Sequence, residues 1–550
     1  MKKRWKVFSV LDDKSEIIDV LLSKRGIVSK KEKSAFLNPP KVKEYVSKLS
    51  GDFKASLELA RQIILKAIKE ENSIIIYGDY DADGVCATAI LYKVIKNELG
   101  YERCSYFIPN RFDHGYGLSI KSINECLEKF SKEGTKVLFI TVDTGITATD
   151  DVFYIKSLKH RIIITDHHQK SSKIPQADCI VWNDSVVGST IAWYLSKELG
   201  SNDPHSLALA CIATITDVQP ILGFNRSLVR EGLEILNSNP PLGIRKLMDV
   251  SGKKAKLAPR MAKGEITTYD LGWIIGPRLN AGGRLIDAYD SLNLFLKEDE
   301  AELERIAKKL NDINIERQEK TIEMLEMADV VESKIIISSH PDYHEGIIGL
   351  VAAKLTQKYY RPSVVISLGD GYAKGSVRSI PGIDIIDILR KFDNLFINLG
   401  GHPMAAGFTI EKNKLNALAS VLNDYMNNNM SEDIFVPILS IDAEIPLTFA
   451  DSAFLSDINK LKPFGMGNNE PLFLSRNVGI ASLNTVGKEN QHLSLRLESN
   501  NKFYKGIFFN EGNRISSLKL GQYVSIVFSI KENNFNGRTS IDLIIKDLVY

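Results

Sequence analysis

From about residue 73 to 215, short apolar runs alternate with longer mixed segments. SIIIY (73–77), KVLFITV (136–142) and RIIIT (161–165) are brief, β-branched and unbroken. That is the pattern of parallel strands buried on both faces. Between the first two, VCATAILYKVIKNELG places Ala87, Ile90, Leu91, Val94 and Ile95 on one helical stripe and stops at Gly100. The spacing predicts an α/β domain with a mainly parallel sheet. Further on, Leu303, Ile306, Leu310 and Ile313 recur at steps of three and four within residues 297–330, which predicts one long charged helix, a rigid connector. A second, smaller α/β unit follows, with SKIIISS a strand, IIGLVAAKLTQKY a helix and PSVVISL a strand. From about residue 434 the segments HLSLRLES, FYKGIFF, YVSIVFSI and TSIDLIIKDL alternate between polar turns, which predicts a small all-β barrel or sandwich with an OB-fold one candidate. Near the start, the double proline of AFLNPPKVKEY ends a helix, and ASLELARQIILKAIKE (55–70) has amphipathic helical spacing.

A chain of 550 residues exceeds what one hydrophobic core organises, so several domains are expected. Its 44% hydrophobic and 25% charged content is that of a soluble globular protein. No apolar run approaches the roughly 20 residues that span a bilayer. The opening MKKRWKVFSVLDDK lacks the apolar stretch of a signal peptide, and a cytoplasmic protein is expected. The five cysteines form no CxxC pair, which argues against a disulfide framework or zinc site. A net charge of +2 leaves nucleic acid open, because a local basic groove does not need a basic chain.

The chemistry gathers where apolar runs end. SIIIYG runs into Asp79, Asp81 and Asp83 at alternate positions, followed by Gly84. This matches the opening of a calcium-binding EF-hand loop, but the twelfth position, which needs Glu, is Ile90. KVLFITV ends in Asp143-Thr144-Gly145, RIIIT ends in Asp166-His167-His168, and ACIATITDVQP adds Asp217. If the strands share a sheet, these groups converge at its carboxyl edge, where ligands bind in open α/β folds. Each acid alone suits a helix N-cap better than a metal ligand. Together they offer carboxylates and imidazole, a set suited to Mn²⁺ or Mg²⁺. Two such ions, roughly 3.5–4 Å apart, would reconcile the crowded acids and serve phosphoryl hydrolysis.

In the order DYDADG, DTG, DHH, these motifs resemble the DHH phosphoesterase superfamily. GPRLNAGGR (276–284), HEGIIG (344–349), GSVRSIPG (375–382), GGHPMAAG (400–407) and LKPFGMGN (461–468) are similar to its RecJ branch of single-strand-specific exonucleases. The similarity runs from AFLNPP to IKDL. It implies an N-terminal segment packing on the core (1–54), a DHH catalytic domain (55–290), a connecting helix (291–333), a DHHA1 domain (334–433) and an OB-like nucleic-acid-binding domain (434–550).

It also implies that Asp81, Asp83, Asp143, His167 and Asp217 hold two metal ions, with Asp143 bridging. His168, with Asp81 and Asp143, would serve catalysis, His168 meeting the scissile phosphate. Asp79 would support from behind or face the substrate, and Asp166 would support from behind by orienting a histidine. Many smaller members carry a metal-binding histidine at the position of Tyr77, so the first metal site would be the weaker. Arg278, Asn280 and Arg284, read as lying in a Gly- and Pro-bounded loop, would bind the strand, as would His344, Ser376, Arg378 and His402. Without the resemblance, GGH reads as a turn and GPRLNAGGR fits a helix corner with solvated arginines equally well. In the last domain, Phe503, Tyr504, Phe508, Phe509 and Phe535 accompany Lys502, Lys505, Lys531 and Arg538. That combination suits single-stranded nucleic acid and, for most of the aromatics, an ordinary barrel core.

The expected function is a processive 5′→3′ exonuclease that admits one strand of DNA and excludes a duplex, acting in repair and recombination; the expected partners are single-stranded DNA, a helicase and a single-strand-binding protein, with no membrane and a monomeric state. Two alternatives stay open at this point. One is a phosphodiesterase of the same superfamily acting on short oligonucleotides or cyclic dinucleotides. The other is a non-catalytic replication scaffold, for which degenerate metal ligands would be the sign.

Overall fold

The three apolar runs form the centre of a five-stranded sheet. Ser73–Gly78 and Val137–Val142 are buried at every position, and Arg161–Asp166 at all but its first. Such strands have no solvent face on which to place a polar residue, so their chemistry waits for the strand ends. The order is Cys104–Phe107, Ser73–Gly78, Val137–Val142, Arg161–Asp166, Cys179–Trp182, all parallel. From Ser73–Gly78 the chain goes first to one neighbour and then crosses back to the other. The strand order therefore reverses between Ser73–Gly78 and Val137–Val142, and the crevice at their carboxyl ends is where such sheets hold ligands.

These features belong to a computed structural model that describes residues 3–131, 134–252, 265–328, 333–535 and 538–550. Its contacts divide the chain into two units. One contains Lys41–Gln219 and Ser227–Val436. In it the helix Ala82–Tyr92 is buried from Ala82 to Leu91, on all sides instead of along one stripe, and a π-helical turn, Lys93–Glu98, continues it. The charged helix runs from Glu300 to Glu326, capped by Asp299, with Leu303, Ile306, Leu310 and Ile313 inward. The second sheet of this unit orders Phe396–His402, Ala405–Glu411, Tyr372–Arg378, Ser363–Leu368 and Ile336–His340, with the helix Ile348–Tyr359 against it.

The other unit contains the residues up to Pro40, Pro220–Arg226 and Pro437–Tyr550. Phe473–Val486, His492–Ser499, Lys502–Phe508, Arg538–Val549 and Tyr523–Phe535 pair in that order, and the last pairs back to the first, closing a barrel. Ile438–Glu444 extends the sheet, and Arg4–Val10 pairs with it in parallel. Leu11, Ile17, Leu21, Leu22 and Phe36 join the barrel's core. The segment expected as one N-terminal piece, 1–54, is thus shared: residues up to Pro40 go with the barrel and those from Lys41 with the α/β unit.

GPRLNAGGR corrects another expectation. It is a helix, Gly276–Leu285, which continues directly from the π-helical turn Leu271–Ile275, with Pro277 just past the junction. Its glycines serve close packing: a Cβ at Gly276 would lie 2.4 Å from Thr216 Cγ2, and one at Gly283 would lie 2.4 Å from the Tyr80 carbonyl oxygen. Gly276→Ala should therefore destabilise the protein by about 1–3 kcal/mol through overpacking, measured as a lower urea midpoint with unchanged slope. No helix among the described residues is long and apolar enough to cross a membrane.

Candidate metal centre and strand-binding residues

Asp81 sits just past the strand Ser73–Gly78 and caps the helix that follows. Its Oδ1 accepts the N–H groups of Asp83 (2.9 Å) and Gly84 (3.1 Å). Gly84 is required here, since a Cβ would fall 2.5 Å from the Asp79 carbonyl oxygen. Asp83 is buried and held from behind by the start of the helix Gly188–Glu198: Gly188 N–H donates to its Oδ2 and Ser189 N–H to its Oδ1, both at 2.7 Å. A helix N-terminus favours the ionised carboxylate. Asp143 follows Val137–Val142 in a left-handed conformation, φ 62°, one that a non-glycine residue adopts at a cost.

These acids meet the histidines that follow Arg161–Asp166. His167 Nε2 lies 3.1 Å from Asp143 Oδ1, 3.6 Å from Asp83 Oδ2 and 3.8 Å from Asp217 Oδ2. Three overlapping groups could each hold an ion: Asp143, His167 and His168; Asp83, His167 and Asp217; Asp79, Asp81 and Asp143. Asp217 and His168 are the more open members, their side chains 34% and 38% exposed.

The electrostatics are those of a cluster built for cations. Burial, then Asp83, Asp81 and Asp79, push the Asp143 carboxyl well above the usual range. Burial and Asp81 do the same to Asp79, and burial and Asp83 raise Asp81. Burial with Asp83 and Asp81 lifts Asp217 to about 8. Burial lowers His167, which keeps the ring neutral with a lone pair to donate. Asp143 Oδ1 and Asp79 Oδ1 are buried and accept no hydrogen bond. Buried acceptors are rarely left so, and hard oxygen donors beside an imidazole fit Mn²⁺ or Mg²⁺.

Asp166 plays a different part. Its Oδ2 accepts Ile146 N–H (2.8 Å), and its Oδ1 accepts the backbone N–H groups of His167 (2.7 Å) and His168 (3.1 Å) and meets His168 Nδ1 at 2.7 Å. Burial opposes charge on His168, but the Asp166 bond and carboxylate, with Asp79 and Asp217, outweigh it and lift the ring to about 9. Two further groups hold that residue, one at its backbone and one at its ring. Trp182 Nε1 donates to the His168 carbonyl (2.8 Å), and the Tyr116 hydroxyl lies 3.1 Å from His168 Nε2. The Tyr77 hydroxyl, at the position of the absent histidine, hydrogen-bonds with Gly117 O (2.9 Å) and Ser122 Oγ (2.8 Å), fastening the loop that carries Tyr116.

The other expected residues divide. Asn280 Oδ1 accepts Ala82 N–H (2.7 Å), which sets its helix beside Asp81. Arg284 lies near Arg111 and Arg317; burial, then those two charges, lower its guanidinium to about 10. The turn after His344 approaches the same helix end, since a Cβ at Gly346 would lie 1.9 Å from the Arg284 carbonyl oxygen. His344 Nδ1 accepts Gly346 N–H (3.1 Å), and its ring meets Phe112 edge-on at 5.7 Å. Arg378 Nη1 donates to Ser376 Oγ (3.3 Å) and Val377 O (2.9 Å), both side chains facing Gly349 at the start of the helix Ile348–Tyr359. Arg278 is spent locally on Ile274 O (2.8 Å) and Asn311 Oδ1 (3.1 Å). His402 is exposed at the end of Phe396–His402; Ala405 lies opposite it and pairs in turn with Arg378.

Three groups escaped the sequence reading. Arg111 and Tyr116 lie in IPNRFDHGYGL, after a strand too short to stand out; Gly115 and Gly117, both at positive φ, were the available signal. Arg317 sits on the helix read only as a connector. In the barrel, Phe508 is core, Tyr504 half-buried, and Phe503 and Phe509 exposed, with the Arg496 guanidinium 4.0 Å from the Phe503 ring centre. Lys505 is paired with Asp542 (3.2 Å), and the side chains of Phe535 and Arg538 lie outside the described residues.

Comparison with known proteins bears on the family and the domain order. Family models match the DHH family N-terminal domain at residues 73–215, the DHHA1 domain at 332–428 and the RecJ OB domain at 441–547. The single-stranded-DNA-specific exonuclease RecJ of Bacillus subtilis is 31% identical over 99% of this chain and 71% of its own. The crystal structure of Thermus thermophilus RecJ with Mn²⁺ superposes with a TM-score of 0.82 at 26% identity, over 100% of this chain and 79% of that one. Its Mg²⁺ complex gives 0.73 at 26% identity, over 99% and 78%. With three domain models in the expected order and a relative of this similarity along nearly its whole length, the chain belongs to the RecJ family of single-stranded-DNA-specific exonucleases.

Proposed function

We propose that this chain is a metal-dependent 5′→3′ exonuclease that hydrolyses single-stranded DNA to nucleotides, acting in cytoplasmic repair and recombination on strands that a helicase and a single-strand-binding protein make available. The observation that carries the reading is the convergence of five ligand-type side chains, from four separate chain segments, on one buried point beside a group of arginines with few carboxylate partners. In this reading Asp81, Asp83, Asp143, His167 and Asp217 would hold two Mn²⁺ or Mg²⁺ ions, Asp143 serving both, with Asp79 in support. Bound there, the ions would supply an activated water and neutralise phosphoryl charge.

The protein's own groups do the rest. At neutral pH the His168 ring is a cation, fixed by Asp166, and presents Nε2–H towards the developing charge on the scissile phosphate. Asn280 sets the helix bearing Arg284 against the Asp81 turn. Arg111, Arg284, Arg317 and Arg378 raise one another's cost of charge, as Arg284 and Arg378 show, and phosphate oxygens would relieve it. Ser376, His344 and His402 are assigned to the same strand-holding surface. The division into catalytic, connecting, DHHA1 and OB-like regions follows this allocation of work, in a monomer.

The test is digestion of blunt duplex, 5′-tailed duplex and 3′-tailed duplex in Mn²⁺. Nucleotides should be released from the 5′ tail alone. Release from 3′ tails at equal rate, or no release from any substrate, would overturn the proposal.

A further inference from the structure

We propose that Tyr269 and Trp273 form a base-stacking platform that grips the strand away from the metal cluster. The proposal rests on the single-strand exonuclease reading above and adds a contact to it. Of the four tryptophans, Trp193 is buried and Trp5 and Trp182 are partly covered, while Trp273 is 71% exposed and Tyr269 65%. Their rings lie 6.2 Å apart between centroids and 28° from parallel, a stacked pair open to solvent.

Their place in the fold points to an occupant. Thr268–Asp270, a π-helical turn Leu271–Ile275 and Gly276–Leu285 follow one another without a break. Along this rod Tyr269, Trp273, Pro277, Asn280 and Arg284 are spaced by four, four, three and four residues, so they share one stripe. The stripe therefore starts at the aromatic pair and ends at Asn280, bonded beside Asp81, and Arg284, in the arginine group. Gly272 and Gly276 turn instead to Ile215 and Thr216, the residues just before Asp217. The rod is thus anchored against the metal cluster and carries the rings outward from it. At 1.5 Å per residue, Trp273 is about 10 Å and Tyr269 about 16 Å along the axis from Asn280.

A partner protein's apolar helix would need a continuing apolar groove, but this stripe becomes polar and cationic within two turns. A nucleic acid strand fits it: phosphates at the Arg284 end and unpaired bases on the rings. Aromatic platforms stack any base, so the contact would not select sequence. π-helical turns also recur at functional sites.

The test uses the full chain with Mn²⁺ and oligothymidylates of increasing length, comparing wild type, Tyr269→Ala, Trp273→Ala and Trp273→Phe. Each alanine variant should raise KM roughly 10-fold on long strands, with kcat little changed. The penalty should appear only once a strand is long enough to reach the rings, and Trp273→Phe should recover most of it. Strands with abasic nucleotides at that distance from the cleaved bond should weaken wild type and add nothing to Trp273→Ala. No penalty on long strands, an equal penalty at every length, or an undiminished penalty on abasic strands would overturn the platform. If wild type degrades single strands and these variants match it, the platform alone fails; if wild type degrades none, the exonuclease reading fails with it.

Discussion

Asp143→Asn should reduce nuclease activity on the order of 10³-fold or more, since losing even one oxyanion-hole donor costs about 10²–10³, and Asp143 is proposed to serve both ions. The fold should survive, because the amide is isosteric. In the metal-free protein the variant should melt higher than wild type, since the substitution removes a buried acid whose ionisation is opposed by burial and by Asp83, Asp81 and Asp79. The pH dependence separates this from general damage. Asp217 has a folded value of about 8 against an ordinary 3.8. A raised carboxyl binds its proton more tightly in the folded state, so its stabilisation is complete below about pH 4 and is lost as pH rises through about 8. Metal-free wild type should therefore lose thermal stability over that window, and Mn²⁺ should restore it at the upper end, by an amount that grows with free ion. Asp143→Asn should flatten both responses. Equal activity, or an unchanged response to Mn²⁺, would remove Asp143 from the centre.

Gly188→Ala should be nearly as damaging, although Gly188 offers no side chain. Its Cβ would sit 2.6 Å from Asp143 Cβ and 2.8 Å from Asp143 Oδ1, while its N–H holds Asp83 at 2.7 Å. Neither neighbour can yield cheaply, since Asp143 stands on a left-handed backbone and Asp83 is clasped by the same helix start. The methyl should cost about 1–3 kcal/mol in stability. It should also cost roughly 10²-fold in rate, the scale expected for a shift of about 1 Å in a reacting group. Ala192, one turn further along the same helix and buried, is the contrast: Ala192→Gly should weaken the helix by about 1 kcal/mol with far less effect on rate. Comparable losses in rate from both would assign Gly188 to helix stability alone.

The candidate metal centre was legible because its residues sit where buried strands end. A strand covered on both faces announces itself as an unbroken apolar run, and the acids and histidines after it stand out against that background. Asp81 and Asp83 at one strand end, Asp143 at the next and His167 at the third could be aligned without coordinates. GPRLNAGGR was misread because glycine signals freedom in a sequence, whereas Gly276 and Gly283 supply absence of volume against Thr216 and Tyr80. Arg111 and Tyr116 stayed hidden in a loop whose strand, Cys104–Phe107, is four residues long. The connecting helix gave up its hydrophobic spacing but not Arg317, since periodicity says which face is inward and nothing about what the flanking charges meet. The parallel pairing of Arg4–Val10 with Ile438–Glu444 joins opposite ends of the sequence, and no local pattern encodes that.

The central claim is that the buried acid–histidine cluster is a two-ion centre for cutting single-stranded DNA. Anomalous diffraction at the manganese edge, from crystals of this protein soaked in Mn²⁺ with a short single strand, tests it most directly. Two peaks bounded by Asp81, Asp83, Asp143, His167 and Asp217, with a strand phosphate beside them and His168, are expected. Peaks elsewhere, or a strand lying away from this cluster, would contradict it.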